Sequence, residues 1–283
     1  MKEKNDIYNI IYKIIEEKSF EKINILLKNI TKDKTLVNYK DKTVFISASL
    51  IKVPIMLCTL NEICDNKISL NSKLNINSKD ILNDNKCFTS GIYEYKVEDL
   101  LTWMITESDN SSTNVLIKFL GLDKLNKYFK KIGLIDTKLE RNMLDDEAIM
   151  QGYNNYTSLN DMYLCFKYIV NNSILDNKLC KFALSILYKQ KINNQIPRYI
   201  DDISFAHKTG GLDFLNSDVG VFKLNNQFYF LGISVYDTPL KKGDRKVVGE
   251  ISKLICDYLK KIIIKEYSYG TKMWRSIKII KFL

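Results

Sequence analysis

Ser49-Leu50-Ile51-Lys52 ends the run Val44-Phe45-Ile46-Ser47-Ala48 and opens the apolar segment Val53-Pro54-Ile55-Met56-Leu57-Cys58, and the rest of the chain is read from it. With a helix starting at the serine, three residues of about 4.5 Å rise and about 300° turn bring the Lys52 amine back over the Ser49 hydroxyl. An amine in that place can take the proton whose loss makes serine a nucleophile. The Ser49 N–H, at a helix start, is placed to donate to an oxyanion developing on an attacked carbonyl. The spacing alone says little, because Ser19-Phe20-Glu21-Lys22 repeats it with nothing else around. Two later motifs separate the pair from its twin: Ser108-Asp109-Asn110, then Lys208-Thr209-Gly210.

Outward from that stretch the periodicity changes on both sides. Residues 6–20 place Ile7, Ile10, Ile11, Ile14 and Ile15 on one helical stripe, and Ile23–Ile30 and Thr35–Tyr39, split by Thr31-Lys32-Asp33-Lys34, read as a strand hairpin. From Ser49 to about Ile200 the pattern is helical. Leu100, Leu101, Met104 and Ile105 precede the Ser-Asp-Asn triplet and Val115, Leu116, Phe119 and Leu120 follow it, so the triplet joins two helices; Ser108 and Asp109 also suit a helix cap. Glu140–Glu147 reads as a loop, and Gly152–Ser158 ends in a cap for a helix over Asp161–Val170. Pro54 predicts a local kink in the helix that carries Lys52.

Beyond Pro197 the period becomes two in Ile203–Thr209, Asp218–Leu224 and Phe228–Val235, with Asn225-Asn226 as a turn. A last helix from Lys246 to about Ile264 carries Val247, Ile251, Leu254, Ile255, Leu259 and Ile262 toward the sheet. Strands at both ends with helices between them imply an α+β fold of two lobes. One is an antiparallel sheet flanked by N- and C-terminal helices, about residues 1–48 and 200–264; the other is an inserted all-helical lobe, about 49–199. The seam between them collects Ser49 and Ser108 from helices and Lys208 from a strand, where pockets form.

With 283 residues, 46% of them hydrophobic, the chain can bury a large core and reads as one globular catalytic domain over 1–264 with a basic extension over 265–283. No run of about 18 apolar residues occurs, and Met1-Lys2-Glu3-Lys4-Asn5-Asp6 leads into a charged segment unlike a signal sequence. The expectation is a cytoplasmic protein, or an extracytoplasmic one if a leader was removed. The charge of +10 is spread among 33 acids along the whole length, so a solvated surface is expected and no nucleic-acid partner. Six cysteines without a Cys-x-x-Cys pair, and His207 as the one histidine, predict buried free thiols, no metal and no cofactor. His207 alternates away from Lys208 along its strand and is expected to pack behind the sheet.

Ala48-Ser49-Leu50-Ile51-Lys52-Val53-Pro54, Glu107–Asn114 and Lys208-Thr209-Gly210-Gly211, in this order, resemble the motifs of class A β-lactamases and penicillin-binding proteins over roughly residues 20–264. The resemblance implies a β-lactamase/transpeptidase-like fold and acyl transfer from a β-lactam, or an acyl-peptide bearing a carboxylate, to Ser49. Lys52 would be the base, helped by burial beside Lys208, and Ser108 the proton shuttle to the leaving nitrogen. Lys208 and Thr209 would hold the substrate carboxylate, Asn110 its side-chain amide, and the N–H groups of Ser49 and Gly211 the oxyanion.

In one place the chain departs from the family. Class A enzymes use a loop glutamate to activate the deacylating water. Thr137–Arg141 resembles the entry to that loop and Asp146-Glu147-Ala148 its exit, and the glutamate's place falls on Asn142 or Met143, neither a base. Glu140, Asp145 and Asp146 are the nearby carboxylates. The expectation is quick acylation and slow hydrolysis, with a peptidoglycan-type peptidase or esterase, or a penicillin sensor that stays acylated, as the other readings. The extension, with Met273-Trp274-Arg275-Ser276-Ile277-Lys278 at its centre, is amphipathic and basic; weak membrane contact or a loose terminal segment are its two readings.

Overall fold

In the computed structural model, which describes residues 8–9, 11–13, 16, 22–236 and 245–263 together with the backbone of 264–280, the main sheet draws its strands from both ends of the chain. The N-terminal side gives β1 (Lys22–Asn29) and β2 (Lys34–Tyr39). Short strands β3 (Phe45–Ile46), β4 (Lys73–Asn75), β5 (Glu94–Lys96) and β6 (Tyr156–Thr157) pair as two separate ladders, β3 with β6 and β4 with β5. The C-terminal side gives β7 (Phe205–Leu212), β8 (Leu215–Leu224) and β9 (Gln227–Tyr236). The five long strands run antiparallel in the order β2-β1-β9-β8-β7, which leaves β7 on an edge. The β8–β9 turn holds Asn225 at φ 49° and Asn226 at φ 58°, the two left-handed positions of a primed hairpin turn, which asparagine tolerates better than most residues.

The sheet divides two cores because side chains alternate along each strand. Ile23, Ile25 and Leu27 of β1 face the C-terminal helix, whereas Leu26 joins the core of the inserted helices; Phe222 and Val221 of β8 split the same way. The inserted helices are α1 (Lys52–Cys64), α2 (Val97–Thr106), α3 (Asn110–Leu120), α4 (Leu122–Lys131), α5 (Asp146–Met150), α6 (Leu159–Asn171) and α7 (Asn177–Tyr188). Every residue of α1 from Lys52 to Leu60 is buried. A helix apolar all round is a core helix, and the others pack about it. Ser158 caps α6, as its position before the apolar repeat predicts, by accepting from the Asp161 N–H.

Three expectations need correction. The span after Ser49 is not helical throughout: 65–96 is turns and the β4–β5 ladder, because its Asn, Asp and Ser side chains compete for backbone hydrogen bonds. Leu254 is 39% exposed, lying off the stripe of Val247, Val248, Ile251, Ile255 and Leu259 on α8 (Arg245–Ile280). Pro54 falls in the first turn of α1, where its missing N–H leaves no intrahelical bond unmade and no kink is needed. The helix α8 also continues through the extension to Ile280, but the side chains on which the membrane reading rests lie outside the described residues. Of the N-terminal stripe, Ile11 is helical and buried, while Ile7, Ile10, Ile14 and Ile15 lie outside them.

Among the described residues no helix is long and apolar enough to cross a membrane. All six cysteines are free; Cys58, Cys165, Cys180 and Cys256 are buried, whereas Cys64 and Cys87 are only half-buried, and burial pushes the Cys58 and Cys256 thiols up to about 12.

Candidate active site

The chain enters α1 through a 3-10 turn over Ala48–Ile51, so Ser49 sits one residue into a helical turn and not at the start of an α-helix. Ala48, at φ 43°, is forced into the left-handed region beside it, where a non-glycine residue costs about 1 kcal/mol or more. The turn is pinned from outside by the Ser47 N–H, which donates to Asn155 O at 2.8 Å. Ser108, at φ 57°, makes the sharp corner between α2 and α3, and Asp109 caps α3 by accepting from the Ser112 N–H at 2.6 Å. Lys208 arrives on the edge strand. A Cβ on Gly210 would lie 3.0 Å from both Leu50 Cγ and Ser47 O, so glycine is what lets β7 lie against the nucleophile turn.

These elements bring five side chains together: Ser49, Lys52, Ser108, Asn110 and Lys208. Lys52 Nζ lies 3.1 Å from Ser49 Oγ, 2.6 Å from Ser108 O, 3.2 Å from Ser108 Oγ and 2.8 Å from Asn110 Oδ1. Lys208 Nζ donates to Ser108 Oγ at 3.0 Å and to Thr209 O at 2.8 Å. Hydrogen counting then fixes the direction of the Lys52 lone pair. Ser108 O and Asn110 Oδ1 only accept, and they are the two nearest partners, so a neutral amine spends both its hydrogens on them. Its lone pair is left facing the two hydroxyls, Ser49 and Ser108, which can donate.

Electrostatics favour that neutral form. Lys52 and Lys208 are both fully buried. Burial first, and the Lys208 charge second, hold the Lys52 ammonium well below the usual lysine range, against the opposing pull of Asp109 and Asp84. Burial brings Lys208 down to about 7, with Asp218 pulling it up. Ser49 and Ser108 are half-buried and open to a ligand.

The Thr209 side chain and Gly211 are not tied into this network. Thr209 pairs with Asp218 across the ladder, on the side of β7 away from Lys208, while Gly211 is exposed on the edge strand with its alternate N–H groups turned from β8. Arg245 lies beside Gly211, with its Nε donating to Asn216 Oδ1 at 3.2 Å. Behind the sheet His207 is buried as expected, but its ring is fully engaged: Nδ1 lies 2.9 Å from Asp218 Oδ1 and Nε2 3.0 Å from Asn193 Oδ1. Asp218 Oδ2 also accepts from the Ile196 N–H at 2.9 Å.

The loop over 138–156 is closed by a Lys138–Tyr156 bridge and by Asn155, whose side chain accepts from the N–H groups of Glu140 and Arg141. Of its candidate bases, Glu140 and Asp145 have structural partners and Asp146 is exposed on α5. Glu140 pairs with Lys138 and accepts from the Asn154 N–H, and Asp145 caps α5 through the Ala148 N–H. Of the two places open to the family glutamate, Asn142 is exposed and Met143 is buried. Asn114 of α3 grips the Met143 backbone on both sides, accepting from its N–H at 2.7 Å and donating to its carbonyl at 3.0 Å. Asn114 entered the sequence reading only as the last residue of the motif segment Glu107–Asn114, without a role, and Asp84, Asp218 and Asn193 were passed over, since only tertiary packing brings them to their partners.

Residues 5–259 match the Beta-lactamase enzyme family. Beta-lactamase VEB-1 of Pseudomonas aeruginosa is 26% identical over 233 residues, 74% of this chain and 76% of that protein. The fold is shared with TLA-1 extended-spectrum β-lactamase (TM-score 0.81, 21% identity, 90% of this chain and 98% of the other). It is shared equally with a mutant of PBP-A solved as an acyl-enzyme complex with penicillin G (TM-score 0.81, 23% identity, 91% and 97%). By this match the chain belongs to the Beta-lactamase enzyme family, as a serine hydrolase of the class A β-lactamase type.

Proposed function

We propose that the protein opens β-lactams by acyl transfer to Ser49 and releases the acyl group slowly. Ser49 Oγ attacks the lactam carbonyl carbon, and its proton passes to the Lys52 lone pair. The N–H groups of Ser49 and Gly211 receive the oxyanion, where losing one donor typically costs a factor of about 10² to 10³. As the C–N bond breaks, Ser108, within reach of both amines, hands a proton to the leaving nitrogen and is reprotonated from Lys52. Lys208 binds the substrate carboxylate; Thr209, on the opposite face of β7, does not share in it.

One observation carries the slow second step: the inward place on the loop is filled by Met143, and the nearby Glu140 and Asp145 are held in structural bonds. A water beside the ester therefore lacks a base at hydrogen-bond distance. The same observation favours a second reading, a peptidoglycan-type peptidase or esterase whose acyl acceptor is an amine or alcohol in place of water.

Intact-mass spectrometry after mixing with penicillin G tests the proposal. The expected result is one adduct per chain, absent in Ser49→Ala and persisting for minutes or longer. Rapid return to the free mass overturns the slow step, and no adduct at all overturns the acyl chemistry. Release of the adduct by an added D-amino acid, faster than by water, selects the peptidase reading.

A further inference from the structure

Asn110 has both ends of its amide engaged. Its Oδ1 accepts from Lys52 Nζ, and its Nδ2 donates to Asp84 Oδ2 at 2.8 Å. Lys52 is buried and Asp84 is exposed, so the amide connects the amine at the reaction centre to a carboxylate at the rim. Asp84 lies between β4 and β5 on a segment fastened at both sides. The Leu82 N–H donates to Ser111 Oγ of α3 at 2.8 Å, and Asn85 Oδ1 accepts from the N–H groups of Cys87 and Phe88 at 2.9 and 2.8 Å. The carboxylate is thus positioned and not free to swing away.

The consequence is a site with charge at two ends. Lys208 sits on the strand side, where the substrate carboxylate binds. Across Ser49 and Asn110 lies Asp84, whose charge is felt as far in as Lys52. The second hydrogen on Asn110 Nδ2 is available to an acyl carbonyl. A carboxylate has lone pairs for about four hydrogen bonds, and the bond to Asn110 uses one. Any group on the acyl side chain just past that carbonyl therefore meets a fixed anion.

We propose that Asp84 is a specificity-determining residue that selects acyl donors bearing an ammonium group on the acyl side chain and disfavours those bearing a carboxylate there. Under this assignment, which rests on acyl transfer to Ser49, the preferred substrate is zwitterionic: anionic at the Lys208 end and cationic at the Asp84 end. A second carboxylate on the acyl side pays Coulomb repulsion and forfeits the hydrogen bond. An ammonium gains both, at a separation where unit charges near a protein surface interact strongly enough to change rates about tenfold.

Three penicillins that differ only at the acyl α-carbon test this: ampicillin with an ammonium, penicillin G with hydrogen, and carbenicillin with a carboxylate. Second-order acylation rates are measured by intact mass at about pH 6, where an α-amine is charged. Wild type is expected to favour ampicillin over carbenicillin by about tenfold, less at high salt. Asp84→Asn should bring the ratio to within about twofold of one, and Asp84→Lys should reverse it. A wild-type ratio near one, or a ratio that survives in Asp84→Asn, overturns the assignment even when penicillin G still acylates Ser49. Failure of all three penicillins with the wild-type protein overturns the acyl chemistry itself, and the assignment with it.

Discussion

At the scale of single residues, function here depends on which lysine is charged. Lys52 must be neutral to accept the Ser49 proton, whereas Lys208 must be charged to hold a carboxylate. Both are buried, yet Asp218 backs only Lys208, and Lys208 itself presses on Lys52. The acylation rate should therefore follow a bell. Its acid side rises as Lys52 deprotonates, and its alkaline side falls as Lys208 loses its proton around pH 7. The charged fraction of Lys208 is nearly full at one unit below that value and about a tenth at one unit above. Lys208→Arg keeps its charge across the range, so its profile should lose the alkaline fall; an unchanged fall assigns that limb to another group. The serine and both lysines were legible from the chain because each belongs to a short motif whose spacing is its geometry. Asp84 and Asp218 were not, since an aspartate in a run such as Asn83-Asp84-Asn85-Lys86 looks like any turn residue until Asn110 is folded against it.

At the scale of elements, the edge strand β7 is held from both sides. Gly210 admits the nucleophile turn on one face. On the other, His207 and Asp218 tie β7 and β8 to the segment carrying Asn193 and Ile196. Removing the imidazole leaves a fully buried carboxylate with one fewer donor, and the segment beyond α7 with one fewer anchor. His207→Ala should cost about 2–4 kcal/mol in urea unfolding and speed amide exchange at Asn193–Ile196. Wild-type stability in that variant would reduce the ring to packing. The strands were readable because half-buried β-structure alternates with period two, and Asn225-Asn226 marked its own turn. The stretch over 65–96 was not: Ile68, Leu70, Leu74 and Ile76 keep a spacing of two, but Ser72 interrupts it, and so short a run does not stand out against the helical patterns on either side.

At the scale of the whole molecule, two lobes meet at a seam, and the reaction centre lies where the inserted helices press on the sheet's free edge. That two-lobed plan was legible in the order of its periodicities, strand, helix, strand, whereas the placing of the 138–156 loop over the seam was not. The chain left two positions for the missing loop carboxylate, and burial separates them: Met143 points inward and Asn142 outward. Asn114 holds Met143 by main-chain atoms alone, so the side chain can change without loosening the grip. Met143→Glu should therefore put a carboxylate where the loop faces the interior, its pKa raised by burial toward that of a general base. The variant should shorten the lifetime of the penicillin G adduct by at least about tenfold, while acylation proceeds and stability falls by about 1–3 kcal/mol for the buried polar group. Asn142→Glu, turned to solvent, should leave the lifetime within about twofold of wild type. Equal lifetimes in both variants would mean that the loop does not set deacylation, and that the slow step is governed by how water reaches the ester.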